Sequence, residues 1–190
     1  KAANKLTTAD KLTAGGNIAA SSANGNIDLA AAEAKGVIDL KATNGKLTAA
    51  VLQAQGSIAA AGKDVEMKQQ VTAGKDLTMT AANSLTTEAE ISADQNMKLT
   101  GGEVTTQKDV KAGSDLTMTA ANSLMTADEV SAKQNMTLTG GDVTTQKKVT
   151  AGNDMKMAAA NKLTTADEVS AANITLTGGD ITTQKKVNAG

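Results

Sequence analysis

The chain has 190 residues, 19 basic against 20 acidic for a net charge of −1, and contains no Phe, Trp, Tyr, Cys, His or Pro. Without cysteine there is no disulfide, thiolate metal site or thiol nucleophile, and without histidine the commonest general base and metal ligand is missing. All the basic residues are Lys, so no guanidinium is present to clamp a phosphate or carboxylate in bidentate fashion. Balanced charge gives nucleic-acid binding little support, and no run of 18 apolar residues exists to enter a membrane.

Leu, Ile and Val together number 32 of 190, few for a packed core. The usual disordered chain also carries high net charge, which this one does not. Periodicity therefore has to decide the fold.

The opening Lys1-Ala2-Ala3-Asn4 has no signal-peptide core. The chain starts and stops inside a repeat, which is the expectation for a segment of a longer fibre. Residues 1–74 are predicted to form the less regular part of a single β-helix spanning 1–190, and residues 75–190 the regular part.

The predicted rungs follow from one column of apolar residues: Ile18, Ile38, Ile58, Leu77, Met97, Leu116, Met136, Met155 and Ile174, spaced by 20, 20, 19, 20, 19, 20, 19 and 19. Two residues after each sits another small or apolar side chain, from Ala20 and Leu40 to Met157 and Leu176. A second column runs Ile27, Leu47, Val65, Leu85, Val104 and onward to Ile181. A third runs Leu52, Val71, Ile91, Val110 and onward to Val187, each followed two residues later by Ala. Inward residues at i and i+2 mark short strands, three per rung. A helical period does not fit these spacings, and the Leu-rich consensus of leucine-rich repeats is absent. The prediction is all-β: a right-handed parallel β-helix, a solenoid of about nine rungs of 19–20 residues.

From residue 75 the repeat lengthens to two rungs. Residues 75–87 return as 114–126 and 153–165, a shift of 39 each time; residues 96–113 return as 135–152 and, after a one-residue deletion, as 173–190. The turn residue before each first strand reads Asp76, Asn96, Asp115, Asn135, Asp154, Asn173. Asn and Asp are expected there for their tolerance of left-handed backbone and their hydrogen bonds to their own main chain. Before the third strand the pairs read Ala89-Glu90, Lys108-Asp109, Asp128-Glu129, Lys147-Lys148, Asp167-Glu168 and Lys185-Lys186. Acid and base thus alternate along most of one edge. A slip of one rung stacks like charges and a slip of two does not, which supplies a physical reason for the 39-residue period.

Gly16-Asn17-Ile18-Ala19-Ala20, Gly25-Asn26-Ile27-Asp28-Leu29-Ala30-Ala31, Ala73-Gly74-Lys75-Asp76-Leu77 and Leu99-Thr100-Gly101-Gly102 resemble the haemagglutinin repeats of filamentous-haemagglutinin-type exoproteins. These are the two-partner-secreted adhesins and contact-dependent growth-inhibition proteins of Gram-negative bacteria. The resemblance covers the whole chain. It implies a secreted, surface-displayed stalk that holds a receptor-binding or toxin tip away from the cell. This sequence departs from such repeats in its complete lack of aromatic residues and arginine.

Three candidate sites can be read. The outward positions Thr78/Thr80, Lys98/Thr100, Thr117/Thr119, Thr137/Thr139 and Thr175/Thr177 form a Thr-x-Thr array similar to the ice-binding face of β-helical antifreeze proteins. Threonine is also simply a good strand residue, and Lys98, Lys156, Ala158 and the early rungs (Ala19, Asp39, Lys41, Ala59) break the array. Gly101-Gly102-Glu103, Gly140-Gly141-Asp142 and Gly178-Gly179-Asp180 suggest calcium turns. Their period is two rungs, however, so they read better as tight corners in which Gly supplies positive φ. Lyase or glycosidase chemistry on this fold needs a dedicated carboxylate pair and aromatic platforms, whereas the acids here recur beside lysines.

The expectation is a non-enzymatic structural stalk with no catalytic residue, cofactor or metal. Its partners would be further rungs of the same polypeptide at both ends, with neighbouring fibres or a host or target cell surface as further candidates, and with no nucleic acid and no membrane insertion. The alternative is a binding surface for ice, glycan or self-association.

Overall fold

A side chain that points inward in one rung can stay buried only if the rung above places an equivalent side chain over it. The computed structural model, which describes residues 5–190, is built this way throughout. The opening Lys1-Ala2-Ala3-Asn4 lies outside the described residues. Every regular element among them is a strand, and the strands join one sheet in which each pairs in parallel with its equivalent a rung away. The fold is a parallel β-helix of about nine turns. At the usual strand spacing of roughly 4.8 Å, nine rungs make a rod about 43 Å long.

Register follows the predicted columns. Met97 lies between Leu77 and Leu116, Val104 between Leu85 and Leu124, and Val110 between Ile91 and Val130. The columns also reach further toward the N-terminus than the sequence pattern indicated. Leu6 pairs with Ile27, and Leu12 with Ala32, which in turn pairs with Leu52.

Each rung has three sides. In one rung they are separate strands, Leu77–Ala81, Ser84–Thr87 and Ile91–Ala93. In the next, Met97–Thr106 runs through the first corner without a break and Val110–Ala112 forms the third side. The ladder continues at the corners: Leu77 N donates to Asn96 O at 2.9 Å and Met97 N to Asp115 O at 2.9 Å. This continuity satisfies backbone groups that a corner would otherwise leave open.

Rung lengths of 19 and 20 have a local cause. The longer rungs carry one extra residue at the corner between the first and second sides, where Ala120-Ala121-Asn122-Ser123 lies over Gly101-Gly102-Glu103 and the register shifts. Three of the shorter corners carry glycine at their middle position, 102, 141 and 179, where an earlier one has Lys63, but not for the expected reason. No residue among those described, glycine included, has positive φ. A Cβ on Gly102 would instead sit 2.5 Å from the carbonyl oxygen of Asn83, and one on Gly179 2.7 Å from that of Asn161. Gly141 lies in the same way against Asn122 O. Close approach of two backbones selects glycine at these corners, and left-handed geometry plays no part.

The core is one continuous cluster of Leu, Ile, Val, Met and Ala columns. One column within it is polar. Two residues after the second-side apolar residue, Leu29, Ala49 and Met67 give way to Thr87, Thr106, Thr126, Thr145 and Thr165, all 0% exposed. None of these five hydroxyl oxygens has a hydrogen-bond partner.

Candidate surface array and the corner ladders

The first side turns its alternate residues to solvent, and this places the candidate threonines on one face. Pairing sets them in two columns. One reads Thr78, Lys98, Thr117, Thr137, Lys156, Thr175; the other reads Thr80, Thr100, Thr119, Thr139, Ala158, Thr177. Thr80, Thr100, Thr119 and Thr139 are therefore an unbroken run over four rungs. In the other column only Thr117 and Thr137 are adjacent. Thr78, Thr80, Thr175 and Thr177 are exposed, and Thr117, Thr119, Thr137 and Thr139 are half-buried by their neighbours. The exposed ammonium groups of Lys98 and Lys156 interrupt this otherwise neutral face.

At each corner some polar side chains bond from rung to rung. The Asp/Asn column before the first side is a ladder. Asn96 donates to Asp76 Oδ1 through its backbone N at 3.2 Å and its Nδ2 at 3.0 Å. Asn135 does the same to Asp115 Oδ1, both at 3.0 Å, and Asn173 Nδ2 reaches Asp154 Oδ1 at 2.8 Å. Going the other way, Asp115 N and Asp154 N donate to the amide oxygens of Asn96 and Asn135 at 3.4 and 3.3 Å. These side chains thus bond the adjacent rung in place of their own main chain, and none uses left-handed backbone. Alternating Asp with Asn gives every carboxylate an amide donor above it, and no two carboxylates are adjacent. The Val37 amide meets Asn17 Oδ1 in the same manner at 2.8 Å.

The glycine-bearing corner behaves likewise. Glu103, Ser123, Asp142, Lys162 and Asp180 form one column, which puts its acids two rungs apart, roughly 9.6 Å. That is too far for two of them to share an ion. Asp142 Oδ1 accepts from Lys162 N at 3.2 Å, and Asp64 Oδ1 accepts from Ser84 Oγ at 2.9 Å. Among the described residues no group of three or more His, Cys, Asp or Glu could hold a metal.

The third edge carries the alternating charges. Lys185 pairs with Asp167 at 3.0 Å and Lys148 with Glu168 at 3.8 Å. A backbone hydrogen bond from Glu168, then Lys185, hold the Asp167 carboxyl below its ordinary value. Glu90, Asp109 and Glu129 break the alternation by stacking three acids. Lys111, outward on the third side, compensates from 2.8 Å to Asp109 and 3.2 Å to Glu90, and these two contacts raise its pKa. Nearer the N-terminus Lys46 reaches Glu66 at 2.6 Å and lowers its pKa against the opposing effect of burial. Solvent screens such surface pairs, so each contributes little to stability.

Shallow open grooves follow the corner after the third side. At mid-rod one is lined by Ala93, Ala112 and Ala132 together with Ser92, Asp94, Lys111 and Lys133, groups of mixed sign. No helix among the described residues is long and apolar enough to cross a membrane. Comparison with protein-family models, with curated proteins and with solved structures finds no match for this chain.

Proposed function

We propose that this chain is a structural stalk segment of a secreted, cell-surface bacterial exoprotein of the filamentous-haemagglutinin type, an adhesin or a toxin-delivery fibre, and that it performs no catalysis. One observation carries the reading: polar side chains at all three corners bond the adjacent rung and, among the described residues, gather into no common site. Such a molecule transmits length and stiffness. The resemblance of the Gly-Asn-Ile and Ala-Gly-x-Asp-Leu corners to haemagglutinin repeats supplies the cellular setting: extracellular, attached to a Gram-negative surface, with further rungs of the same polypeptide as the principal partner.

Two experiments test this. Deleting residues 114–152, one double rung, should leave a folded rod shorter by roughly 9.6 Å in solution scattering; a chain that unfolds, or keeps its length, contradicts a modular spacer. Antibodies raised against the segment should label intact, unpermeabilised cells of its source, and labelling that requires permeabilisation removes the cell-surface assignment. A second reading, ice binding through the first-side face, rests on the unbroken run Thr80, Thr100, Thr119, Thr139. Thermal hysteresis decides it, and its absence leaves the stalk alone.

A further inference from the structure

Seven of the eight methionines line the interior: Met67, Met79, Met97, Met118, Met136, Met155 and Met157 are 0–1% exposed. The eighth, Met125, is 38% exposed. It stands outward on the second side, where the equivalent residues of the flanking repeats are Thr86 and Thr164 and its partners in the sheet are Thr105 and Thr144. Nothing in the packing calls for a thioether there, since Leu124 and Thr126 on either side of it already face the core. From this contrast we infer that Met125 is a surface oxidation site, the single position at which the intact rod takes up oxygen from a peroxide.

The chemistry is a two-electron transfer. A lone pair on the Met125 sulfur attacks one oxygen of hydrogen peroxide, the O–O bond breaks, and the hydroxyl now on sulfur gives its proton to the departing hydroxide, leaving the sulfoxide and water. The product is polar and chiral. In a core it disrupts packing. On this face Met125 stands between Thr105 and Thr144 of the adjacent strands, its backbone roughly one strand spacing, about 4.8 Å, from each. Oxidation thereby converts an apolar spot on a hydroxyl-lined face into a polar one and leaves the stack untouched. A dithiol-dependent sulfoxide reductase could return it to the thioether. The seven interior sulfurs are closed to peroxide while the rungs stay together, so interior oxidation reports rung opening.

The folded 190-residue chain exposed to hydrogen peroxide should gain one oxygen by intact mass, and peptide mapping should place it on Met125. The chain should keep its β circular dichroism. Met125→Thr, which restores the residue of the neighbouring repeats, should gain none under the same exposure. In denaturant the wild-type chain should gain eight and the variant seven. Oxidation of Met118 or Met136 in the folded chain at a rate comparable to Met125, or a Met125 that stays reduced while the denatured chain oxidises, overturns the inference.

Discussion

Thr126→Val tests the polar column at its centre. Thr126 is 0% exposed, its Oγ1 has no hydrogen-bond partner, and it stacks between Thr106 and Thr145, whose hydroxyls are equally alone. Valine replaces the hydroxyl by a methyl of nearly the same size, so no cavity opens and no contact is lost. A buried polar group without a partner costs about 1–3 kcal/mol, and removing it returns that amount. The substitution should therefore stabilise the rod by about 1 kcal/mol or more, seen as a higher urea midpoint at unchanged slope. Thr87, Thr126 and Thr165 are each two rungs apart, roughly 9.6 Å, far enough for effects to add. The triple Val variant should thus gain about 3 kcal/mol or more. Thr119→Val, on the outward face, is the control and should shift stability by about 0.5 kcal/mol or less. Destabilisation by Thr126→Val of about 1 kcal/mol or more would refute the reasoning, because it would mean the hydroxyl is bonded in solution.

Other outcomes follow from the corners. Gly102→Ala drives a methyl onto the Asn83 carbonyl oxygen and should cost about 1–3 kcal/mol, whereas Gly16→Ala meets nothing within 4 Å and should be nearly neutral by thermal melting. Asn135→Asp puts carboxylates on three successive rungs, Asp115, 135 and Asp154, and should lower the melting temperature more at low salt than at high salt. The pH profile has two flanks. Glu66 and Asp167 sit below their ordinary values of 4.5 and 3.8, so the stability they contribute is present above those values and is lost as pH falls through the lower folded ones. Lys111 sits above 10.5, so its contribution is present below that value and is lost as pH rises through the higher folded one. Both flanks should be shallow and should flatten in salt, since all three groups are at least partly exposed; a midpoint independent of pH from 3 to 11 at low salt would contradict these assignments.

How far the sequence could be read depended on which contact each residue makes. Inward residues such as Leu85 and Val104 recur at the rung period because burial leaves them no other option, so register and rung number were legible. The double period was also legible, in the alternation of Asp76 with Asn96 and Lys147 with Asp167. What the alternation does was less so. A ladder between rungs and a turn bonded to itself use the same residue types, and only coordinates show Asn135 donating back to Asp115 on the preceding rung. Glycine at position 102 looks the same whether it serves positive φ or close approach. Lys111 was overlooked as a strand residue although it answers the stacked Glu90 and Asp109. The buried threonines did carry a signal. Thr126 lies two residues after the inward Leu124, and strand parity puts both on one face, but a threonine in a strand reads first as a surface residue.

Equivalent residues of successive turns lie one strand spacing apart whatever their distance along the chain. The sequence has no cysteine, so pairs of spin labels can be introduced cleanly at outward second-side positions, taking Thr86 with Thr105, Thr144, Thr164 and Thr182 in turn. Electron-electron distances should rise linearly with rung number at about 4.8 Å per rung, which puts Thr86 and Thr164, four rungs apart, near 19 Å. Distances that fail to scale with rung number, or a broad distribution for every pair, would contradict the stacked solenoid.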